Sequence, residues 1–159
     1  MSGIINNFRN EYYFLSNFFY TKIKYKGIIF ITSEHFYQTC KTFVPHEQQL
    51  IINSKTPGDA KKNSRLVTLR DNWDDIKNNI MWITLQLKFS QNIILLNKLK
   101  ATGDAMLVEG TTGWHDNYWG SCECKKCINI EGQNHLGKML MQLRDRGLDS
   151  KYQQLENNI

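Results

Sequence analysis

The chain has 159 residues, enough for one domain with a real core. Hydrophobic residues make up 41% and aromatic residues 12%, which excludes a disordered chain and supplies rings for a core or for the walls of a pocket. The net charge of +5 is spread out, with no long basic run, and suits a phosphate-bearing ligand or nucleic acid. Met1 to Asn10 is polar, without a signal-peptide pattern, and no apolar run approaches membrane-spanning length. The expectation is a cytoplasmic protein with no membrane partner, whose four cysteines are thiols or metal ligands rather than disulfides.

Residues 1–10 read as a lead-in, and Glu11 to Tyr20 as an aromatic loop or short strand. Lys22 to Thr32 reads as a hairpin turning near Lys26-Gly27. A helix follows, with Ser33 as its expected cap, and ends before Pro45. The helical period puts Glu34, Gln38 and Lys41 on one face and Phe36, Cys40 and Phe43 on the other. His46 to Asn53 continues as a short helix, and Thr56-Pro57 caps and opens another. Asn72 to Ser90 has the strongest helical period, with Ile76, Ile80, Ile83 and Leu87 in one stripe and Trp73 a turn before it. A helix over Asn92 to Leu99 stops at Ala101-Thr102-Gly103. Ala105 to Glu109 reads as a strand and Gly110 to Gly120 as a loop. The last helix starts near Asn134, carries Leu136, Leu140 and Leu143 on one side, and ends near Gly147 before a polar, frayed tail.

Three constellations stand out. The first is the Glu34, Gln38, Lys41 stripe: a proton carrier, an amide and an amine on one helix face, against the plainer alternative of a surface Glu–Lys contact. His35 could orient Glu34 or simply pack. The second is the loop Gly113-Trp114-His115-Asp116-Asn117-Tyr118-Trp119-Gly120, where a carboxylate sits among indoles. Asp116 there either serves a pocket or caps a turn. Glu34 with Asp116 would suit cleavage of a glycosidic bond, one carboxylate moving a proton while the other faces the developing positive charge. Lys41 could instead attack the anomeric carbon. The third is Cys122, Cys124 and Cys127 in a Cys-x-Cys-x-x-Cys spacing, able to converge on one structural zinc with His115 or His135 as fourth ligand. Lys61, Lys62 and Arg65 form a short basic segment able to meet a phosphate.

Taken together and in order, FLSNF, SEHFYQTCK, PGDAKK, RDNWDDIK, LKFSQN, LKATGD, LVEG, HDNYWG and GQNHLGKMLMQLR resemble the NADAR family over most of the chain. The resemblance implies a compact, mainly helical α+β single domain with a small sheet over residues 1–159, with a Cys-rich insert at about 121–131. It implies a hydrolase of the N-glycosidic bond between a base and a phosphorylated ribose or ADP-ribose. The substrate would be a riboflavin-pathway intermediate or ADP-ribosylated guanine in DNA or RNA. It implies Glu34 as acid/base or charge stabiliser, a possible covalent role for Lys41, and Asp116 in the site with the rings of Trp73 and Trp119. The matching motifs add Asn17, Phe18, Tyr37, Gln38, Lys61 and Asn134 as expected substrate contacts. No cofactor is required for that chemistry, so zinc would be structural. Two rival readings are a non-catalytic binder of ADP-ribose or a nucleotide, and a zinc-stabilised nucleic-acid-binding protein.

Overall fold

The computed structural model describes residues 3–153. Its elements run β1 (Ile4–Ile5), a 3-10 helix (Asn10–Leu15), β2 (Tyr20–Tyr25), β3 (Ile28–Thr32), α1 (Ser33–Thr39), α2 (Pro45–Ile52), α3 (Pro57–Asn63), α4 (Trp73–Ser90), α5 (Ile93–Ala101), β4 (Met106–Leu107), α6 (His135–Arg146) and α7 (Ser150–Gln153). The fold is mainly helical α+β, and its strands form two two-stranded pairings, β2 with β3 and β1 with β4. Two compact units divide the chain: Asn17–Gln91 with the residues from Asp149, and the residues up to Ser16 with Asn92–Leu148.

In the first of these units, Lys26 and Gly27 take φ of 49° and 76°, the positive pair that a two-residue hairpin turn needs to match strand twist. The antiparallel register places Ile23 opposite Phe30, and both are buried. They join Phe36 of α1 and Leu87 of α4 in a core cluster. Phe36 meets Phe30 and Tyr25 edge-on, with ring centroids 5.2 and 5.4 Å apart. Gln91 borrows the outer edge of β2, accepting from Lys24 N–H (2.7 Å) and donating to its carbonyl (2.8 Å). Those bonds occupy an otherwise open strand edge.

Several expectations need correction. Thr32, not Ser33, caps α1, because its hydroxyl accepts from His35 N–H (3.2 Å). α1 ends at Thr39, so Phe43 leaves the helical face; it is 70% exposed and covered by the Arg70 guanidinium at 4.1 Å. Over α4 the deepest residues are Met81, Thr84, Leu85, Gln86, Leu87, Lys88 and Phe89, while Ile76, Ile80 and Ile83 are half-buried. The C-terminal half of α4 is thus buried all round, and a single stripe cannot describe it.

In the other unit, the segment read as a loop or strand forms the 3-10 helix that buries Phe14 and Leu15. The lead-in contributes β1, which pairs in parallel with β4. β4 is two residues long rather than the five expected. The tail after Gly147 forms α7, which belongs with α4: Asp149 accepts from Trp82 Nε1 (3.0 Å) and its N–H donates to Gln86 (3.0 Å). Asn134 enters α6 at φ 49°, and its amide bridges β4, donating to Leu107 O (2.9 Å) and accepting from Glu109 N–H (3.0 Å). Gly137 one turn later lets the helix approach: a Cβ there would collide with the Leu107 carbonyl and the Asn134 side chain. Asn134→Ala removes both bridges and leaves buried backbone groups unpaired. It should lower unfolding stability by about 1–3 kcal/mol, read as a lower urea midpoint at unchanged slope.

Candidate active site

The helix α1 is seven residues long and every one is buried. Polar side chains in that position must be hydrogen-bonded or neutral. Ser33 Oγ donates toward Asn17, 3.0 Å from its side-chain oxygen and 3.2 Å from its carbonyl. Glu34 N–H donates to the same carbonyl (3.0 Å). Asn17 Nδ2 in turn reaches Met81 Sδ at 3.2 Å. Asn17 therefore fixes the start of α1 rather than standing apart from it.

Glu34 is 6% exposed, and Gln38 Nε2 donates to its Oε1 at 2.6 Å. The expected i, i+4 stripe is real, but it faces the interior. Gln38 Oε1 is buried without a hydrogen-bond partner among the described residues, an acceptor left open beside the carboxylate. Tyr37 is buried against Trp73, ring centroids 5.3 Å apart. Lys41 lies just past α1, its Nζ 5.8 Å from the Trp73 ring and 3.5 Å from Ser64 Oγ. Burial pushes the Lys41 amine below its ordinary pKa; the Glu34 carboxylate works against that shift, and Lys61 and Arg65 add to it. Neither ion pair seen among the described residues, Lys77–Asp74 and Arg144–Asp145, involves those three cations. Phe18 is half-buried just after Asn17. One unit thus brings together Glu34, Gln38, Lys41, Tyr37, Trp73 and the charges of Lys61 and Arg65.

His35 does not orient Glu34. Its Nε2 lies 3.0 Å from the Ser54 carbonyl, which can only accept, so that nitrogen carries the proton. Nδ1 then accepts from the Thr32 hydroxyl at 2.7 Å. Sequence spacing carries no signal for the Ser54 contact. An open groove of about 700 Å³ between α2 and α3 is lined by His46, Leu50, Asn53, Lys55, Asp59 and Lys62, among others; of the residues singled out from sequence as candidate site groups it takes in Lys62 of the basic segment, and none of the Glu34, Gln38, Lys41 stripe.

Asp116, Trp119 and Asn134 belong to the other unit. Asp116 Oδ1 accepts from Tyr118 N–H and Trp119 N–H, both at 2.9 Å, and its carbonyl accepts from Thr111 Oγ1 at 2.6 Å. The carboxylate caps its turn, the plainer of the two sequence readings. Trp119 is half-buried and meets Tyr118 edge-on at 4.9 Å. The Asn134 amide is held by β4, as described above.

The third constellation closes into a cluster. The ligand atoms of His115, Cys122, Cys124 and Cys127 all lie within 4.8 Å of one another, a set able to hold a metal ion. His115 Nδ1 is 3.5, 3.2 and 3.7 Å from the three sulfurs. His135, the alternative fourth ligand, instead packs on Tyr118 at 4.4 Å and pairs with Gln133 Oε1 at 2.9 Å. Burial raises the Cys122 thiol to about 11, while the hydrogen bond from Cys122 lowers the Cys124 thiol to about 6.

The NADAR domain model matches residues 5–146. The chain belongs to the NADAR family. N-glycosidase YbiA of Shigella flexneri serotype 5b is 35% identical over 151 residues, covering 92% of this chain and 90% of that protein. The riboflavin biosynthesis protein VVA0006 of Vibrio vulnificus is 32% identical over 134 residues, covering 83% of this chain and 35% of that protein. The NMR structure of Escherichia coli YbiA superposes with a TM-score of 0.77 at 34% identity, covering 92% of this chain and 86% of that one. Membership of the NADAR family makes the chain an enzyme of the N-glycosidase class. Among the described residues, no helix is long and apolar enough to cross a membrane.

The His35 environment predicts a pH dependence of stability. Burial lowers its pKa from 6.5, against the smaller opposing effect of the Ser54 carbonyl, so the unfolded chain binds the proton more readily than the folded one. The stabilisation is present above pH 6.5 and is lost as pH falls through that value toward the folded pKa, with a slope of at most about 1.4 kcal/mol per pH unit. Denaturant titrations from neutral to mildly acid pH should show this slope, and it should flatten in His35→Gln. An unchanged slope in that variant would assign the effect to other groups.

Proposed function

We propose that this NADAR-family enzyme hydrolyses the bond joining a base nitrogen to C1 of a phosphorylated ribose or an ADP-ribose. The substrate classes are a riboflavin-pathway intermediate and ADP-ribosylated guanine in DNA or RNA. The observation that carries the reading is the joint setting of Glu34, Gln38 and Lys41 beside Trp73. The Vibrio relative's name supports the riboflavin class.

The chemistry asks for a proton on the departing base and for relief of positive charge at C1. Glu34, in its acid form, gives its proton to the base nitrogen as the C1–N bond breaks. The Lys41 amine, which burial biases toward its neutral form, donates its lone pair to C1 and forms a C1–Nζ bond. Water then displaces Nζ from C1, and its proton passes to the Glu34 carboxylate, restoring the acid form. Gln38 holds the carboxylate through Nε2, and its open Oε1 accepts from a sugar hydroxyl. Lys61 and Arg65 take the phosphate. No metal or cofactor enters these steps, and the enzyme works in the cytoplasm.

Incubation with both substrate classes, followed by mass-spectrometric detection of free base, tests the reading. Glu34→Gln should still bind ligand and lose about 10²–10⁴-fold in turnover. Wild-type turnover by that variant would remove Glu34 from the mechanism. Opening of the sugar ring at its C1–oxygen bond turns the C1–Nζ adduct into a Schiff base, which borohydride reduces to a stable sugar–protein adduct. Lys41→Arg removes the nucleophile, so this trapped adduct should disappear with it; trapping that persists would move the covalent step elsewhere.

A further inference from the structure

We propose that His115, Cys122, Cys124 and Cys127 bind one zinc ion that closes the long loop between Gly110 and Asn134. Geometry carries the proposal. Zinc bonded to sulfur at about 2.3 Å and to nitrogen at about 2.0–2.1 Å in a tetrahedron places nitrogen and sulfur about 3.6 Å apart. The observed separations of 3.5, 3.2 and 3.7 Å bracket that value.

A second, independent observation comes from the backbone. His115 has φ 59°, a left-handed conformation that a residue with a Cβ adopts at a cost of about 1–2 kcal/mol. Such strain persists where the surroundings impose it and clusters at sites with a job to do. Here the conformation goes with an imidazole nitrogen within reach of all three sulfurs. The sulfurs are free of disulfides, and Cys122 and Cys127 are buried at 3% and 6% exposure.

The donor set identifies the metal and its role. Three thiolates and one imidazole around a single ion make a closed structural zinc site, with no position left for a substrate or a reacting water. Three thiolates on a divalent ion leave a net negative charge, and Lys125 and Lys126, which lie between Cys124 and Cys127 in sequence, offset it. The ion also reaches the Asp116 turn through short bonds. Thr111 O accepts from His115 N–H (2.8 Å), and Thr111 Oγ1 donates to Asp116 O. Cys122 N–H donates to Asn117 Oδ1 (2.9 Å).

The test uses the full chain purified without chelator. Elemental analysis should give about one zinc per chain, and thiol titration should find Cys122, Cys124 and Cys127 protected until the ion is stripped. Cobalt exchange should produce the thiolate-to-metal charge-transfer band and the strong visible absorption of a tetrahedral sulfur site. The double variant Cys124→Ser, Cys127→Ser should lose the metal and the cobalt spectrum while keeping its helical circular dichroism. His115→Ala should weaken binding at least about tenfold, whereas His135→Ala should leave it unchanged. A wild-type chain that takes up no zinc, or a double variant that retains it, overturns the proposal. Loss on His135→Ala instead of His115→Ala overturns the ligand assignment. These readouts need no turnover, so they stand or fall apart from the glycosidase reading.

Discussion

A helix of seven residues, all of them buried and most of them polar, exists only if its surroundings satisfy it. Moving an unpaired polar group out of water costs a few kcal/mol, and an unpaired carboxylate costs more. α1 meets this constraint from three directions. Asn17 takes Ser33 and the Glu34 N–H, Thr32 and the Ser54 carbonyl take the two faces of His35, and Gln38 takes Glu34. The partners come from before the hairpin, from its last residue and from beyond α2. Folding the hairpin and α2 against α1 is therefore the same event as fixing the Glu34 carboxylate. A carboxylate held this way would need no reorganisation in the proton-carrying role proposed for it, which is what electrostatic preorganisation requires.

The same constraint explains the chemistry available to Lys41. A lysine in water is protonated and a poor nucleophile. Three influences compete here: burial and the charges of Lys61 and Arg65 favour the neutral amine, while Glu34 favours the ammonium. Burial is the largest, so the net shift is downward from the ordinary lysine pKa. A phosphate bound by Lys61 and Arg65 would cancel part of their repulsion and raise the amine again. On the proposed reading, the lysine's protonation would depend on the occupant of the basic segment.

Much of this was legible in the sequence, and the failures have physical reasons. The apolar run at Ile28 with Lys26-Gly27 before it gave the hairpin, because a two-residue turn with positive φ is a local property. The Glu34–Gln38 contact was legible because i, i+4 spacing is fixed by helix geometry. What spacing could not show was that the stripe faces inward, since the groups satisfying it lie far away in the chain. The two-residue strands β1 and β4 leave no periodic trace, because their pairing is parallel and joins residues about a hundred apart. Lys88 is fully buried with its amine 5.3 Å from the Phe89 ring, against every compositional expectation for lysine. The choice between His115 and His135 was beyond spacing, because it depends on a backbone conformation rather than on distance along the chain.

The loop from Gly110 to Asn134 poses the opposite problem from α1. It has no helix or strand of its own beyond one isolated bridge, Gly110 with Ser121. Loops of that length without regular structure are uncommon in compact domains, because ordering each residue costs about 1–2 kcal/mol with little burial in return. Its largest exposed side chains return little burial: Trp114, Ile128 and Ile130 are 46%, 73% and 54% exposed. What the loop has is backbone pairing at its ends, the Asp116 turn in its middle and four soft donors gathered at one point. The bonds made by Asn117, Tyr118, Trp119 and Gly120 to residues 133–136 tie its first half to the start of α6, but they leave 122–131 with few anchors. A metal there would do for the loop what packing does elsewhere in the chain, by cross-linking residue 115 to residue 127. On this view the cysteine-rich insert stabilises the segment that carries Asp116, and its thiols need take no part in the chemical step.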